Sequence, residues 1–290
     1  MQRREFLKST PLLAGIPLLW SAPSPEWWFS QDDDASICSK KFELAVSSCL
    51  RGKPIKEVVI EMGKSFLGTE YVAHTLEQPG EERLVINMRG LDCVSFCENS
   101  LVFARCIKKG KTTFDDYKAE LQFIRYRGGV IDRYPSRLHY FSDYIFDNEK
   151  KGVWKNVTKS IGGVPFRKTI NFMSTHPDSY PQLKEHPEFL KTIQEQEAVI
   201  GERALVHIPK GDIEGVQKKI QSGDVLAITT DIPGMDIAHT GIAIRQSGKL
   251  HFMHAPLSGS KVVITTKTLA EYLAGNKRQL GIMVARPLEP

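Results

Sequence analysis

Apolar residues recur at three- and four-residue spacing through the first half of the chain and gather into short β-branched runs near its end. From Lys40 to Leu50, Phe42, Ala45, Val46 and Cys49 share one helical face, which predicts an amphipathic helix with Cys49 on its buried side. Pro54 to Leu67 predicts a second helix, with proline near its start and Gly68 as its stop. Arg83 to Asn87 reads as a short strand. Behind Asp92, whose side chain suits an N-cap, Val94, Phe96, Cys97, Leu101, Ala104 and Cys106 lie at helical spacing, so a helix starts at Cys93 and stops at Gly110.

Residues 111–205 mix helical patterns (Phe114, Tyr117, Leu121, Ile124, and again Pro187 to Ile200) with loops such as YPSRLHYFSDY and NFMSTHPDSYP. Loops of that length, dense in Tyr, His, Arg and Ser, are expected of a functional insertion. The C-terminal part changes character: Asp224–Thr230, His239–Gln246, Lys249–Pro256, Lys261–Thr265 and Gln279–Leu288 are short, rich in Val, Ile and Phe, and separated by Gly, Ser and Pro, as antiparallel strands are. Helices first and sheet second predict an α+β fold.

At 290 residues and 41% hydrophobic, the chain is long enough to bury a substantial core. The N-terminus changes where it is expected to work. MQRREFLKSTPLLAGIPLLWSAPS has a basic head, an apolar run from Pro11 to Trp20 and then small residues, the layout of an export signal. Arg3-Arg4-Glu5-Phe6-Leu7-Lys8 is similar to the twin-arginine signal, read by a receptor that exports folded proteins. The expectation is a leader over residues 1–30, engaging the twin-arginine export receptor, and a single domain over 31–290 in the periplasm or another extracytoplasmic space. The apolar run is too short and too broken by proline to span a bilayer, so the mature chain is expected to carry no integral membrane segment.

The net charge of +5 includes three positive residues of that head, which leaves the rest mildly basic. No Lys/Arg run or basic patch interleaved with aromatics points to nucleic acid. Five cysteines make an odd count, so at least one thiol is free. Neither C-x-x-C nor H-x-x-x-H occurs, which argues against a bound metal. Cys38 and Cys49 are a candidate bridge in an oxidising compartment, whereas folding in the reducing cytoplasm before export favours free thiols.

Chemistry concentrates in two stretches. At the first turn of the helix behind Asp92, unpaired N–H groups and the positive end of the helix dipole favour a thiolate, so Cys93 is the candidate nucleophile, while Cys97 and Cys106 read as small buried apolar residues. The base comes from DIAHTGIAIRQSGKLHFMHAP. With Ser247-Gly248 as a two-residue turn, Gly241 faces His254 and His239 faces Pro256, so the two imidazoles leave one face of a hairpin, roughly 5–8 Å apart. His251 points to the other face, and Gly241 is expected to leave His254 room to turn. One imidazole would take the thiol proton while the second fixes its tautomer.

Leu91-Asp92-Cys93-Val94-Ser95-Phe96, His239-Thr240-Gly241-Ile242-Ala243 and Phe252-Met253-His254-Ala255 resemble the D-C, H-x-G-I and I-H-A signatures of the NlpC-type papain-like cell-wall hydrolases, in the same chain order. Leu67-Gly68-Thr69-Glu70-Tyr71 is similar to their G-x-P-Y stretch, with Glu70 in place of proline. TLE (75–77), GLDCVSF (90–96), YPSRLHYFSDY (134–144), NFMSTHP (171–177) and GDVLAITT (223–230) more narrowly resemble the N-acetylmuramoyl-L-alanine amidase-like subfamily. The resemblance implies a papain-like α+β fold, N-terminal helices packed on a C-terminal antiparallel sheet, with 111–205 inserted as a sugar-side wall.

It also implies a cofactor-free enzyme whose substrate is a muropeptide, cut at the amide between N-acetylmuramic acid and L-alanine during wall turnover, with anhydro-muropeptides preferred. Cys93, His239 and His254 would be catalytic. Tyr71 would line the cleft, and Asp92 would either cap the helix alone or also meet the substrate's amine side. Tyr134, Arg137 and His139 would bind sugar or carboxylate groups, Arg137 equally serving to cap a structural carboxylate. The alternatives are a D,L-endopeptidase with the same triad and a wall-binding protein whose cysteine is inert.

Overall fold

The computed structural model describes residues 31–257 and 261–290. The export signal expected over 1–30, with Trp27 and Trp28, lies outside the described residues. The principal helices are α1 (Gln31–Ser47), α2 (Ile55–Lys64), α3 (Cys93–Lys109), α4 (Phe114–Arg125) and α5 (Phe141–Lys150). The strands are β1 (Glu70–Tyr71), β2 (Gly90–Leu91), β3 (Trp154–Asn156), β4 (Val164–Pro165), β5 (Val206–Pro209), β6 (Val225–Thr230), β7 (Ile237–Gln246), β8 (Lys249–His254), β9 (Val263–Ile264) and β10 (Gln279–Pro287). No described helix is long and apolar enough to cross a membrane.

The strands from β3 onward form one sheet in the order β4-β5-β10-β6-β7-β8-β9, with β3 also paired to β10 and every pairing antiparallel. Both faces are covered. Val225, Ala227, Ile242, Ile244 and Met253 pack toward Val58, Val59 and Met62 of α2 and Leu101 of α3. Leu226, Ile228, Ala243, Leu250 and Phe252 pack toward Ile208, Leu269 and Leu273 on the other side. All six residues of β6 are therefore buried, and its continuous apolar run replaces the alternation of a half-exposed strand. Each such aliphatic side chain contributes roughly 1.5–3 kcal/mol on burial. At Gly63 α2 sits close to β8: an added Cβ would meet the Met253 Cε at 2.5 Å, so the methionine end would have to move.

Helix α3 is the axis of the first core. Its start is a capping box: the Asp92 carboxylate accepts the Ser95 N–H at 2.7 Å, and the Ser95 hydroxyl accepts the Asp92 N–H at 2.9 Å. Gly110 ends it in the left-handed conformation, φ 69°. Inside, the Arg125 guanidinium of α4 donates to both oxygens of Glu98 at 2.7–3.2 Å, and the pair is 3% and 2% exposed. Such a pair ties α4 to α3, since neither charge is tolerated there without the other.

Three sequence expectations need correction. The first helix begins at Gln31 and ends at Ser47, so Cys49 falls beyond it, left-handed at φ 51° and exposed, and Val46 is 72% exposed. The added turns are held by long-range contacts: Cys38 is buried, and the Asp34 carboxylate accepts the Met88 N–H at 2.9 Å. Cys38 and Cys49 are both free, and eleven residues of mostly helical chain set them about 16 Å apart, beyond the reach of a disulfide. Arg83–Asn87 is extended but joins no sheet. Side chains satisfy its carbonyls instead: Tyr126 donates to Arg83 O at 3.0 Å, and Arg125 donates to Val85 O. The segment 111–205 is not one insertion in packing, because Tyr117, Leu121 and Ile124 of α4 and Tyr144 of α5 join the main core. From Tyr134 to Ile200 a separate cluster forms, built on Tyr140, Ile170, Met173, Leu183, Phe189 and Ile193.

Candidate active site

The parallel pair β1/β2 sets Tyr71 opposite Leu91, and the chain turns at Asp92 directly into α3. Cys93 therefore stands at the helix mouth, largely but not fully buried. Thr240 of β7 pins it: the Thr240 hydroxyl donates to Cys93 O at 2.8 Å, and its backbone N–H and hydroxyl lie within reach of the thiol. One turn on, the buried Cys97 thiol donates to the same hydroxyl oxygen at 3.8 Å, and the buried Cys106 thiol donates to Asp116 O at 3.7 Å.

The helix start does not make Cys93 a resting thiolate. Desolvation in the cleft, followed by the Asp92 carboxylate, pushes its thiol up to about 12, and the two Thr240 contacts that favour the charged form are smaller. Burial and the neighbouring Asp92 carboxylate thus oppose the pull of the helix start toward a charged sulfur.

The hairpin follows its expected register. Ser247 and Gly248 take φ 49° and 79° as the two-residue turn, and Gln246 pairs with Lys249 through to Ile242 with Met253. His239 Nε2 and His254 Nδ1 are 2.6 Å apart, with the rings at 78° to each other. The space beside Gly241 is not left for His254: a Cβ there would meet the Phe252 ring at 2.6 Å. Phe252 instead lies 4.6 Å from His254 and Tyr272 5.2 Å from it, so the ring is packed by aromatics. Burial lowers His239 to about 4; burial, then the charge of His239, lowers His254 to about 3. Both are neutral at physiological pH. His251 lies on the opposite face, where its Nδ1–H donates to Thr265 O at 2.9 Å.

Cys93, His239 and Thr240 border a cleft of about 240 Å³ whose other wall is Leu138, His139, Tyr140, Phe141, Phe172, Met173 and Tyr180. A larger groove of about 420 Å³ beside α2 is lined by Lys53, Lys56, Lys218 and Arg245 and holds no thiol or imidazole. The smaller cleft has the chemistry. His139 lines it with Nε2–H donating to Tyr134 O at 2.9 Å, which leaves Nδ1 as an acceptor. Tyr71 lies beside the thiol, its hydroxyl pushed up by burial first and then by Cys93 and Asp92.

Tyr134 and Arg137 do not face the cleft as direct ligands. Tyr134 is fully buried and Arg137 is 4% exposed, because both hold one carboxylate: Arg137 Nη2 donates to Glu77 Oε1 at 2.7 Å and Tyr134 OH to Glu77 Oε2 at 3.2 Å. Of the two roles open to Arg137, capping a carboxylate is the one its position provides. Glu77 itself lines the cleft and was not singled out in the sequence, although it ends the TLE stretch. Asp236 is a second unanticipated lining carboxylate, engaged by the backbone N–H groups of Ser142 and Ile237 at 2.7 Å each. Among the described residues no group of three His, Cys, Asp or Glu side chains is arranged to hold a metal ion.

The model of an N-acetylmuramoyl-L-alanine amidase-like family matches residues 61–282. An N-acetylmuramoyl-L-alanine amidase from Bacteroides uniformis is similar over 81% of this chain and 99% of its own, at 35% identity and a TM-score of 0.77. A Bacteroides fragilis structure named as a candidate xylanase is similar over 78% of this chain and 99% of its own, at 37% identity and a TM-score of 0.74. A Legionella pneumophila protein shares the fold at 20% identity and a TM-score of 0.67, covering 89% of this chain and 95% of its own. No curated protein matches.

Proposed function

This chain belongs to the N-acetylmuramoyl-L-alanine amidase-like family, and from that premise we propose that it is a cysteine amidase, built on the papain-like NlpC-type variant of its α+β fold. Its substrate is a peptidoglycan fragment, an anhydro-muropeptide released in wall turnover, cut at the lactyl amide. The observation that carries the reading is the 2.6 Å contact between His239 and His254, with His239 bordering the same cleft as Cys93.

With its proton on Nε2 and donated to His254 Nδ1, His239 offers the Nδ1 lone pair to the thiol. Because thiol and imidazole are both neutral at rest, the proton crosses as sulfur attacks the lactyl carbonyl, and the charge pair exists only during reaction. His239 then returns the proton to the departing L-alanine nitrogen, and water resolves the thioester. Backbone N–H groups at the start of α3 are aimed where the oxyanion develops. Tyr71 lines the approach to the sulfur, and Asp92 keeps the helix mouth in place. Residues 31–290 act as one domain, delivered outside the cytoplasm by the signal in residues 1–30.

A glycosidase reading has less support. It requires two carboxyls free to exchange protons across a sugar bond, and the oxygens of Glu77 and Asp236 are already taken by Arg137, Tyr134 and backbone N–H groups. Digestion of purified anhydro-muropeptide with mass analysis tests the proposal. An intact stem peptide with a free L-alanine amine is expected; a shortened peptide with the lactyl amide intact would favour the D,L-endopeptidase, and no cleavage a binding protein.

A further inference from the structure

The cleft is lined by two carboxylates that the proposed reaction does not use, Glu77 and Asp236, and Glu77 is the one held by the side chains of Arg137 and Tyr134. Glu77 lies on the connection between β1 and β2 and borders the cleft with Cys93 and His239. Its two oxygens are fixed from behind by Arg137 Nη2 at 2.7 Å and Tyr134 OH at 3.2 Å. Arg137 is itself held, donating to Leu76 O at 3.0 Å and lying 3.4 Å from Glu82. Each carboxylate oxygen has a further lone pair, so the fixed group can still accept from the cleft.

The rest of that wall has the same polarity. His139 presents an unprotonated Nδ1, because its Nε2–H is spent on Tyr134 O, and burial holds the ring neutral. Among the described residues, Asp236 is the only other formally charged side chain lining the cleft, and no lysine or arginine lines it. The wall thus offers hydrogen-bond acceptors. A stem-peptide carboxylate seated against it would meet acceptors and no cationic partner among the described lining residues. A neutral sugar that brings hydroxyl and acetamido N–H donors would be accepted.

We propose that Glu77 is a specificity-determining residue of the amidase reading on which this inference rests: its carboxylate, oriented by Arg137 and Tyr134, accepts hydrogen bonds from the muramoyl sugar and assigns this wall to the sugar side. The peptide then leaves by the opposite end of the cleft. The roles of the three residues divide accordingly. Glu77 touches the substrate, while Arg137 and Tyr134 position it.

The test compares Glu77→Gln and Tyr134→Phe with the wild-type chain on two substrates that share one stem peptide, an anhydro-muropeptide and the sugar-free N-lactoyl peptide. Glu77→Gln replaces an acceptor oxygen by a donor and is expected to lower kcat/KM on the anhydro-muropeptide by about 10- to 100-fold, mainly through KM. The lactoyl peptide should be cut by both forms within about twofold of each other. Tyr134→Phe removes one orienting bond and should show the same selectivity at about threefold to tenfold, so the inference remains testable if Glu77→Gln folds poorly. Equal losses on both substrates, or no loss on either, overturn the assignment of Glu77 while leaving the amidase reading intact. A wild-type chain that leaves the lactyl amide whole in both substrates overturns that reading, and this inference with it.

Discussion

Cys93 and Cys97 stand one turn apart on α3 and touch the same threonine, yet only Cys93 borders the cleft that holds an imidazole. Burial raises both thiols, Cys93 to about 12 and Cys97 well above the ordinary range. Resting acidity therefore does not separate them. Access does: Cys93 opens on the cleft that His239 borders, and under the proposed mechanism His239 becomes charged only as the sulfur loses its proton. A helix start is often credited with making a nucleophile by its dipole; in the proposed reaction its contribution is geometric, placing the Cys93 thiol in the cleft that His239 also borders.

The strongest way to break that contrast is to exchange the roles of the two sulfurs. Cys93→Ala is expected to lower kcat/KM by about 10,000-fold or more with the melting temperature nearly unchanged. Cys97→Ala should keep activity within a few-fold and lose about 1 kcal/mol of stability by denaturant unfolding. Farther along the helix, Glu98→Ala leaves Arg125 buried and alone, so about 3–5 kcal/mol of stability should be lost, while kcat per folded molecule holds. Next in size is His254→Ala, which frees His239 to turn and should lower kcat by about 100- to 1,000-fold.

The pH profile sharpens the same point. A solvated imidazole titrates near ~6.5, whereas burial sets His239 near 4 and His254 near 3. The base thus stays available in mild acid, and kcat/KM should fall to half near pH 4. Stability moves with the same groups. Below about pH 6.5 the unfolded chain takes up protons that the folded chain refuses, so the melting temperature should be highest above that pH and decline as pH falls toward 4. A half-point near ~6.5 in the rate would mean that His239 is solvated rather than buried. The smallest effect is expected from Thr240→Val, which deletes the hydroxyl bond to Cys93 O but keeps the backbone N–H, at about tenfold or less in kcat.

What the sequence reveals follows the range of the interactions involved. The start and stop of α3 are legible because Asp92, Ser95 and Gly110 are local signals, and the hairpin is legible because a two-residue turn fixes its parity. The filling of that hairpin was hidden, since Phe252 occupies the space beside Gly241 and nothing in the spacing ranks it over His254. Arg137 was ambiguous for a related reason: a surface-type residue in a Tyr-rich loop reads as a ligand until the distant Glu77 is seen beneath it. Glu77 itself gave no periodic or spacing signal. Arg83–Asn87 has the composition of a strand yet joins no sheet, because its partners are side chains from α4 and its C-terminal cap, which a propensity for strand cannot register.

The most direct test of the central claim is rapid quench of the wild-type enzyme turning over anhydro-muropeptide, followed by peptide mass mapping. The account predicts a thioester on Cys93 carrying the mass of the anhydro-muramoyl group, formed as the stem peptide is released. Turnover that proceeds without any adduct at Cys93 and persists in Cys93→Ala would contradict it.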